Sequence, residues 1–127
     1  MDRDPTHAAE FRDVAARLDE IGLLADPELL AETVELFVTD AAAIVTQLQD
    51  AFASGNALAL ERAAHRLKGA ALNLGVASMA QPARDLEDEA RRQIFVDAPA
   101  RIRAIERELG RVAVFLRAEV AQASARG

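Results

Sequence analysis

The segment AAHRLKGAALNLG, residues 63–75, places a histidine, a lysine and two glycines in a stretch otherwise typical of a buried helix. Neutral imidazole is a nucleophile near physiological pH because its unperturbed pKa is about 6.5. A lysine three residues further on supplies a compact cation that suits the charge of a phosphoryl group. Glycine inside a helix costs about 1 kcal/mol relative to alanine, so some other requirement must offset it. Together, His65, Lys68 and Gly69 indicate a face that accepts and releases a phosphoryl group.

The helical phase of this segment decides which residues accompany His65. At roughly 100° per residue, one side of the helix is apolar and must face a core; it carries Leu60, Ala63, Leu67, Ala70 and Leu74. His65 falls on the opposite side, near Lys68 and Gly69. Apolar residues lie a further turn away in each direction, where a solvated face would be polar. This pattern predicts a docking surface for another protein, made of Leu58, Glu61, Arg62, Leu72 and Asn73.

Five helices are predicted, each from a residue that can cap a helix N-terminus: Asp4, Asp26, Asn56, Ser78 and Asp97. Proline follows the cap directly at positions 5 and 27, where it suits the first helical turn. Ser78 with Gln81 three residues later resembles a capping box. Ser54–Gly55 ends the second predicted helix, and the third ends near Leu74 before Gly75.

Short linkers between long helices make consecutive helices antiparallel neighbours. The sequence therefore predicts an all-α fold: an up-down antiparallel four-helix bundle over about residues 27–122. An additional N-terminal helix, over about residues 5–20, is expected to lie across one end of the bundle. We expect residues 1–127 to form one domain, and a bundle that closes its own core to be a monomer.

Composition and charge exclude several other classes of protein. Twenty-one acidic residues against 15 basic ones give a net charge of -6, which opposes nucleic-acid binding. Without cysteine there is neither a disulfide nor a thiolate metal site. The N-terminal residues do not form a signal peptide, and no apolar stretch approaches the roughly 20 residues of a membrane span. We expect a cytoplasmic protein that binds neither nucleic acid nor membrane.

The motif H-x-L-K-G, followed by small residues and a second glycine, is complete in HRLKGAALNLG, residues 65–75. It closely resembles the signature of histidine-containing phosphotransfer (HPt) domains, and the looser likeness extends over about residues 28–120. The resemblance implies a four-helix bundle with an exposed histidine that takes a phosphoryl group from the aspartate of one receiver domain and passes it to another. It implies response-regulator receivers and a hybrid histidine kinase as partners, with no cofactor in this chain because Mg²⁺ belongs to the receiver.

Carried over residue by residue, the resemblance makes His65 the phosphorylated residue, Lys68 the charge partner of the phosphoryl group and Gly69 the position of steric clearance. Many members have a glutamine from the next helix on the histidine ring. Glu87 aligns with it here, and its carboxylate either orients the ring or points to solvent. The sequence has no glycine-rich nucleotide loop, so we expect a phosphoryl carrier without ATP-dependent kinase activity.

Three alternatives come from other classes. The first is a non-phosphorylated helical adaptor that binds receiver or kinase domains, since fold alone does not determine function. The second is the phosphorylated domain of a chemotaxis-type histidine kinase, although residues up to Gly127 contain no kinase domain. The third is a metal-binding bundle, which we do not expect because Glu61 and His65 are four residues apart and no second such motif exists.

The remaining residues that could do chemistry, a second histidine and an acidic cluster, are interpreted as solvated surface. A lone histidine in a helical protein is usually a surface residue, and His7 is interpreted as solvated. The acidic cluster of the fourth predicted helix is interpreted as a solvated face; it comprises Asp85, Glu87, Asp88 and Glu89.

Overall fold

The computed structural model describes residues 11–126, and these residues include five α-helices. They are α1 (Arg12–Glu20), α2 (Pro27–Ala53), α3 (Ala57–Asn73), α4 (Ala77–Arg92) and α5 (Ala98–Arg126), with a short 3-10 turn at Leu23–Ala25. The described residues include no strand, so the predicted all-α fold is confirmed. The predicted start of the first helix at residue 5 and the expectation for His7 lie outside the described residues. The last helix continues past its predicted end near residue 122.

Two helix starts follow directly from the local sequence. An Asp26 side-chain oxygen accepts a hydrogen bond from the Leu29 backbone N–H at 3.1 Å, and Pro27 occupies the first turn of α2. The Asn56 side chain likewise accepts from the Ala59 N–H at 3.0 Å at the start of α3. Both predicted caps are therefore confirmed.

The turn between α3 and α4 depends on Gly75, whose φ of 73° lies in the left-handed region. Its N–H donates to the Leu72 carbonyl at 3.1 Å, and the Val76 N–H donates to the Ala71 carbonyl at 2.8 Å. This pair of bonds is the Schellman closure of a helix C-terminus, with Val76 buried beneath it. The predicted end of the third helix is thereby confirmed.

The capping box predicted at Ser78 is wrong. The helix α4 begins at Ala77 with no side-chain cap, because the turn closed by Val76 leads straight into the new helix. Within the described part of the chain, the buried Ser78 hydroxyl has no hydrogen-bond partner, and Gln81 donates to Asp85 at 3.0 Å instead. Ser78 and Gln81 have the residue types and the spacing of a capping box. The preceding turn, however, starts the helix before Ser78, so Ser78 lies inside it.

Four helices close around one apolar core. The helix α3 packs against α2 and α4, and α5 packs against the same two helices, so α3 and α5 are diagonal. The largest fully buried side chains come from all four, among them Leu30, Leu48, Leu60, Leu67, Leu86, Ile105 and Leu116. Such a core removes enough apolar surface from water to drive folding.

The first helix packs at the end of the bundle where α3 gives way to α4. Arg17 Nε donates to the Asn73 carbonyl at 3.0 Å, and Phe11 contacts Phe115 of α5 with ring centroids 5.3 Å apart. A Cβ on Gly75 would lie 3.2 Å from the Asp13 carbonyl oxygen, so this glycine also permits close approach of α1. Within residues 11–126, no helix combines the length and apolar character needed to cross a membrane.

Candidate functional site

The buried side of α3 has the predicted phase. Leu60, Ala63, Leu67 and Leu74 are buried, and Ala70 is half-buried against the same core. The His65 side chain lies on the other side and is 66% exposed. The helix α3 therefore presents an imidazole to solvent, where a reacting group on another protein can reach it.

Gly69 lies one turn beyond His65 on the exposed side of α3. A Cβ built at this position would have no neighbouring atom of residues 11–126 within 4 Å. Intramolecular packing therefore does not require glycine here, although alanine would favour the helix by about 1 kcal/mol. The absence of a side chain leaves open space next to the imidazole.

Glu87 of α4 is a buried carboxylate that holds two residues of α3. Its side chain is only 8% exposed, with one oxygen 2.9 Å from His65 Nδ1 and the other 2.7 Å from Lys68 Nζ. The sequence left open whether this carboxylate orients the imidazole or points to solvent. In the structure it contacts the imidazole.

Glu87 is held in its ionised form. Burial opposes ionisation and raises the pKa of this carboxyl, but hydrogen bonds from Lys68 and His65 outweigh burial and leave the pKa below its ordinary value. An ionised carboxylate only accepts hydrogen bonds, so we assign a proton to His65 Nδ1. In the neutral ring, the lone pair then lies on Nε2, the other ring nitrogen.

Lys68 is engaged within the protein. Its side chain is 22% exposed and its ammonium group pairs with Glu87. The sequence predicted a flexible cation on the flank of His65, and the structure adds an anchor for it. The same carboxylate thus sets the positions of both the imidazole and the nearby ammonium.

Arg91 also belongs to this cluster, although its place there was not predicted from the sequence. Its Nη2 donates to the Glu87 oxygen that also contacts His65, at 3.1 Å, and its Nε donates to Glu61 at 3.1 Å. The hydrogen bond to Glu61 is the largest influence that raises the pKa of Arg91. The spacing of Glu87 and Arg91 on one helix face was the available signal.

The other predicted docking residues surround this cluster. Leu58 and Leu72 are 53% and 49% exposed, and Arg62 and Asn73 are also exposed. Glu61 is half-buried because it pairs with Arg91 across the groove between α3 and α4. Apolar residues thus lie at both ends of the face that carries His65, and charged residues lie between them.

The acidic cluster of α4 is not the solvated face that the sequence predicted. Glu87 is buried against α3, while Glu89 and Asp85 bind Arg101 of α5 at 2.6 and 3.4 Å. The error arises because α4 packs between α3 and α5, so both of its flanks meet another helix. Within residues 11–126, no group of three or more potential ligands could hold a metal ion.

Replacing Glu87 by glutamine is expected to lower the free energy of unfolding by about 1–2 kcal/mol at pH 7, since two cations lose a charged partner. A folded-state pKa below the unfolded value means that the carboxylate stabilises the fold fully above the unfolded pKa. This contribution is lost as the pH falls through the folded-state pKa. The difference between wild type and Glu87→Gln should therefore shrink below about pH 4.3.

Urea unfolding between neutral and acidic pH measures this difference. Glu32→Gln is the matched control, because Glu32 is exposed and has no ion pair among residues 11–126. A pH-independent effect of Glu87→Gln, or one no larger than that of the control, would contradict a stabilising ionised Glu87.

A helical bundle that exposes one histidine beside a lysine and an open glycine position has the architecture of a histidine phosphotransfer domain. The sequence model of the Hpt domain matches residues 32–125, and the chain belongs to this family. Members carry phosphoryl groups on histidine in phosphorelays, as phosphocarriers rather than kinases, and act with receiver and kinase partners.

Comparison with solved structures supports this family assignment. The chain is similar to histidine-containing phosphotransfer protein B (HptB) from Pseudomonas aeruginosa PAO1, with 32% sequence identity and a TM-score of 0.76. The similarity covers 87% of this chain and 92% of HptB. Among curated proteins, no significant match is found.

Proposed function

We propose that this protein carries a phosphoryl group on His65 between the aspartates of response-regulator receiver domains. The observation that carries the proposal is the exposed imidazole whose Nδ1 is held by Glu87, while Nε2 has no hydrogen-bond partner among residues 11–126. Gly69 supports it by leaving space beside the ring for a partner's backbone. Lys68 supports it as the nearby cation for the transferred group.

The proposed transfer requires no cofactor bound to this chain. The Nε2 lone pair attacks the phosphorus of a receiver aspartyl phosphate, a nitrogen–phosphorus bond forms and the phosphorus–oxygen bond to aspartate breaks. The aspartate leaves as a carboxylate, and the proton on Nδ1 stays beside Glu87. The reverse steps deliver the phosphoryl group to a second receiver. Mg²⁺ in such transfers belongs to the receiver.

Glu87 is proposed as the positioning residue for this chemistry. Its carboxylate favours the Nδ1–H tautomer and fixes the plane of the imidazole, so that Nε2 faces the partner. The glutamine found at this position in many family members carries no charge. A carboxylate adds attraction for Lys68, which holds the ammonium group near the reacting ring.

The docking surface is proposed to be the face around His65, with Leu58 and Leu72 as its apolar contacts and Glu61, Arg62 and Asn73 among its polar ones. A hybrid histidine kinase is the proposed origin of the phosphoryl group, delivered through that kinase's receiver domain. We further propose that the protein acts as a monomer, because its four helices close a core without a second chain.

A transfer assay against a panel of receiver domains tests the function. Each receiver is phosphorylated with a small-molecule phosphodonor, freed of donor and mixed with this protein, and the phosphoryl group is followed on gels that retard phosphoproteins. We expect the phosphoryl group to disappear from at least one receiver and to appear on this chain. If a folded sample binds receivers but takes no phosphoryl group from any of them, it is an adaptor and the proposal fails.

Lys68→Ala is expected to reduce the rate of transfer by about 10- to 100-fold, the range for loss of one charge-assisted hydrogen bond. The Michaelis constant for the receiver should change little, since the ammonium group acts on the phosphoryl group rather than on docking. Arg84→Ala is the control, because Arg84 lines the same depression as Lys68. Equal effects of the two variants would remove the specific role of Lys68.

A further inference from the structure

The positive charges around His65 are distributed unequally. On the α4 flank, cations alternate with carboxylates: Lys68 pairs with Glu87, and Arg91 pairs with Glu87 and Glu61. On the α2 flank, two exposed arginines of α3 stand one turn apart, Arg62 and Arg66. The cations of the α4 flank are therefore compensated by neighbouring carboxylates.

Neither arginine of the α2 flank forms an ion pair with a carboxylate of residues 11–126. Among the described residues, Arg62 forms no hydrogen bond or ion pair, and Arg66 donates to the neutral amide of Gln47. The contact with Gln47 anchors the Arg66 guanidinium to α2 while leaving its charge intact. Among the described residues that line this groove, Asp50 is the one acidic side chain, and it pairs with neither arginine.

These arginines are continuous with the proposed reaction site. Arg62 and Arg66 line the depression that also contains His65, as well as the groove between α2 and α3. A partner seated over His65 would therefore meet both guanidinium groups. Their charge is opposite to that of the whole chain, which is -6. Local charge of the minority sign at a docking face favours a partner of complementary sign.

We propose that Arg62 and Arg66 form a positive docking strip that selects receiver domains with an acidic surface beside their phosphorylated aspartate. This inference rests on the proposed function and adds to it the charge of the favoured partner. The strip raises the rate of productive encounter and orients the receiver so that its aspartate reaches Nε2. Exposed charges act mainly on association, so their contribution is screened by salt.

The test compares two pairs of exposed arginines with the same spacing. Arg62→Glu with Arg66→Glu reverses the strip, and Arg103→Glu with Arg107→Glu makes the same net charge change on α5, diagonal to α3. Transfer from the most reactive receiver of the panel is measured as kcat/KM at roughly 20 mM and roughly 500 mM salt.

The strip variant is expected to lose about tenfold or more in kcat/KM at low salt, and the loss should shrink at high salt. The kcat/KM of the α5 variant should stay close to that of wild type at both salt concentrations. Equal losses in the two variants, or no loss in either, would overturn the docking strip while leaving the carrier function intact. Absence of transfer by the wild type would instead overturn the function itself.

Analytical sedimentation at low salt tests whether the arginine strip binds a second copy of this acidic chain instead of a receiver. We expect a monomeric wild type under these conditions. A wild-type dimer that dissociates in the strip variant would assign Arg62 and Arg66 to self-association and overturn the proposal.

Discussion

Replacing His65 by glutamine is expected to abolish phosphoryl transfer while leaving the bundle folded. The amide lacks the nucleophilic ring nitrogen, so no covalent intermediate can form. The side chain is 66% exposed and contributes little packing, and glutamine can still donate a hydrogen bond to Glu87. We expect the free energy of unfolding to change by no more than about 0.5 kcal/mol.

Two measurements on the same sample check this prediction. The transfer assay should show no phosphoryl group on the variant, and urea unfolding should give a midpoint close to that of wild type. Substantial loss of helical content would mean that His65 supports the core, against its position in the structure. Residual transfer at an appreciable rate would require another acceptor in the chain.

Introducing leucine at Gly69 is the second change with a large expected effect. The new side chain would occupy the open space one turn from His65, where the receiver must approach. We expect transfer to fall by about 100-fold or more, equivalent to roughly 2.7 kcal/mol of lost docking or transition-state stabilisation. The fold itself should gain up to about 1 kcal/mol, because leucine favours a helix interior over glycine.

Gly110 supplies a matched control for this substitution. It is also an exposed residue inside a helix, α5, and a Cβ there would have no neighbouring atom of the described residues within 4 Å. Gly110→Leu should give a similar gain in stability with unchanged transfer. If the two leucine variants transfer at equal rates, steric clearance is not the reason for glycine at position 69.

The phase of α3 could be predicted from the sequence because it depends on one helix alone. Leucine and alanine recur at three- and four-residue spacing, which defines a buried side and places His65 opposite to it. The caps at Asp26 and Asn56 were equally local, since each side chain bonds to a backbone N–H only three residues away. Predictions of this kind need no knowledge of neighbouring helices.

Contacts between helices could not be predicted in the same way. Whether Glu87 contacts His65 depends on the rotation of α4 relative to α3, which packing of the whole core determines. The same is true of Arg91, whose partners lie on two helices. The sequence predicted which residues could do chemistry, but packing decided which carboxylate holds them.

Glu87 has two separate contributions, one to folding and one to the proposed function. It contributes to folding as a buried anion between α3 and α4, and it is proposed to contribute to function by orienting the imidazole. The two contributions are separable, since the first is measured by unfolding at different pH and the second by transfer rates. If Glu87 positions the imidazole, Glu87→Gln should change the rate of transfer even at a pH where its free energy of unfolding matches that of wild type.

The most direct test of the central claim is to locate the phosphoryl group. The protein is incubated with a phosphorylated receiver, digested at neutral to alkaline pH to preserve acid-labile phosphohistidine, and analysed by mass spectrometry. We predict one phosphoryl group on His65, absent from the His65→Gln variant. A phosphoryl group on another residue, or none after incubation with every receiver of the panel, would contradict the account.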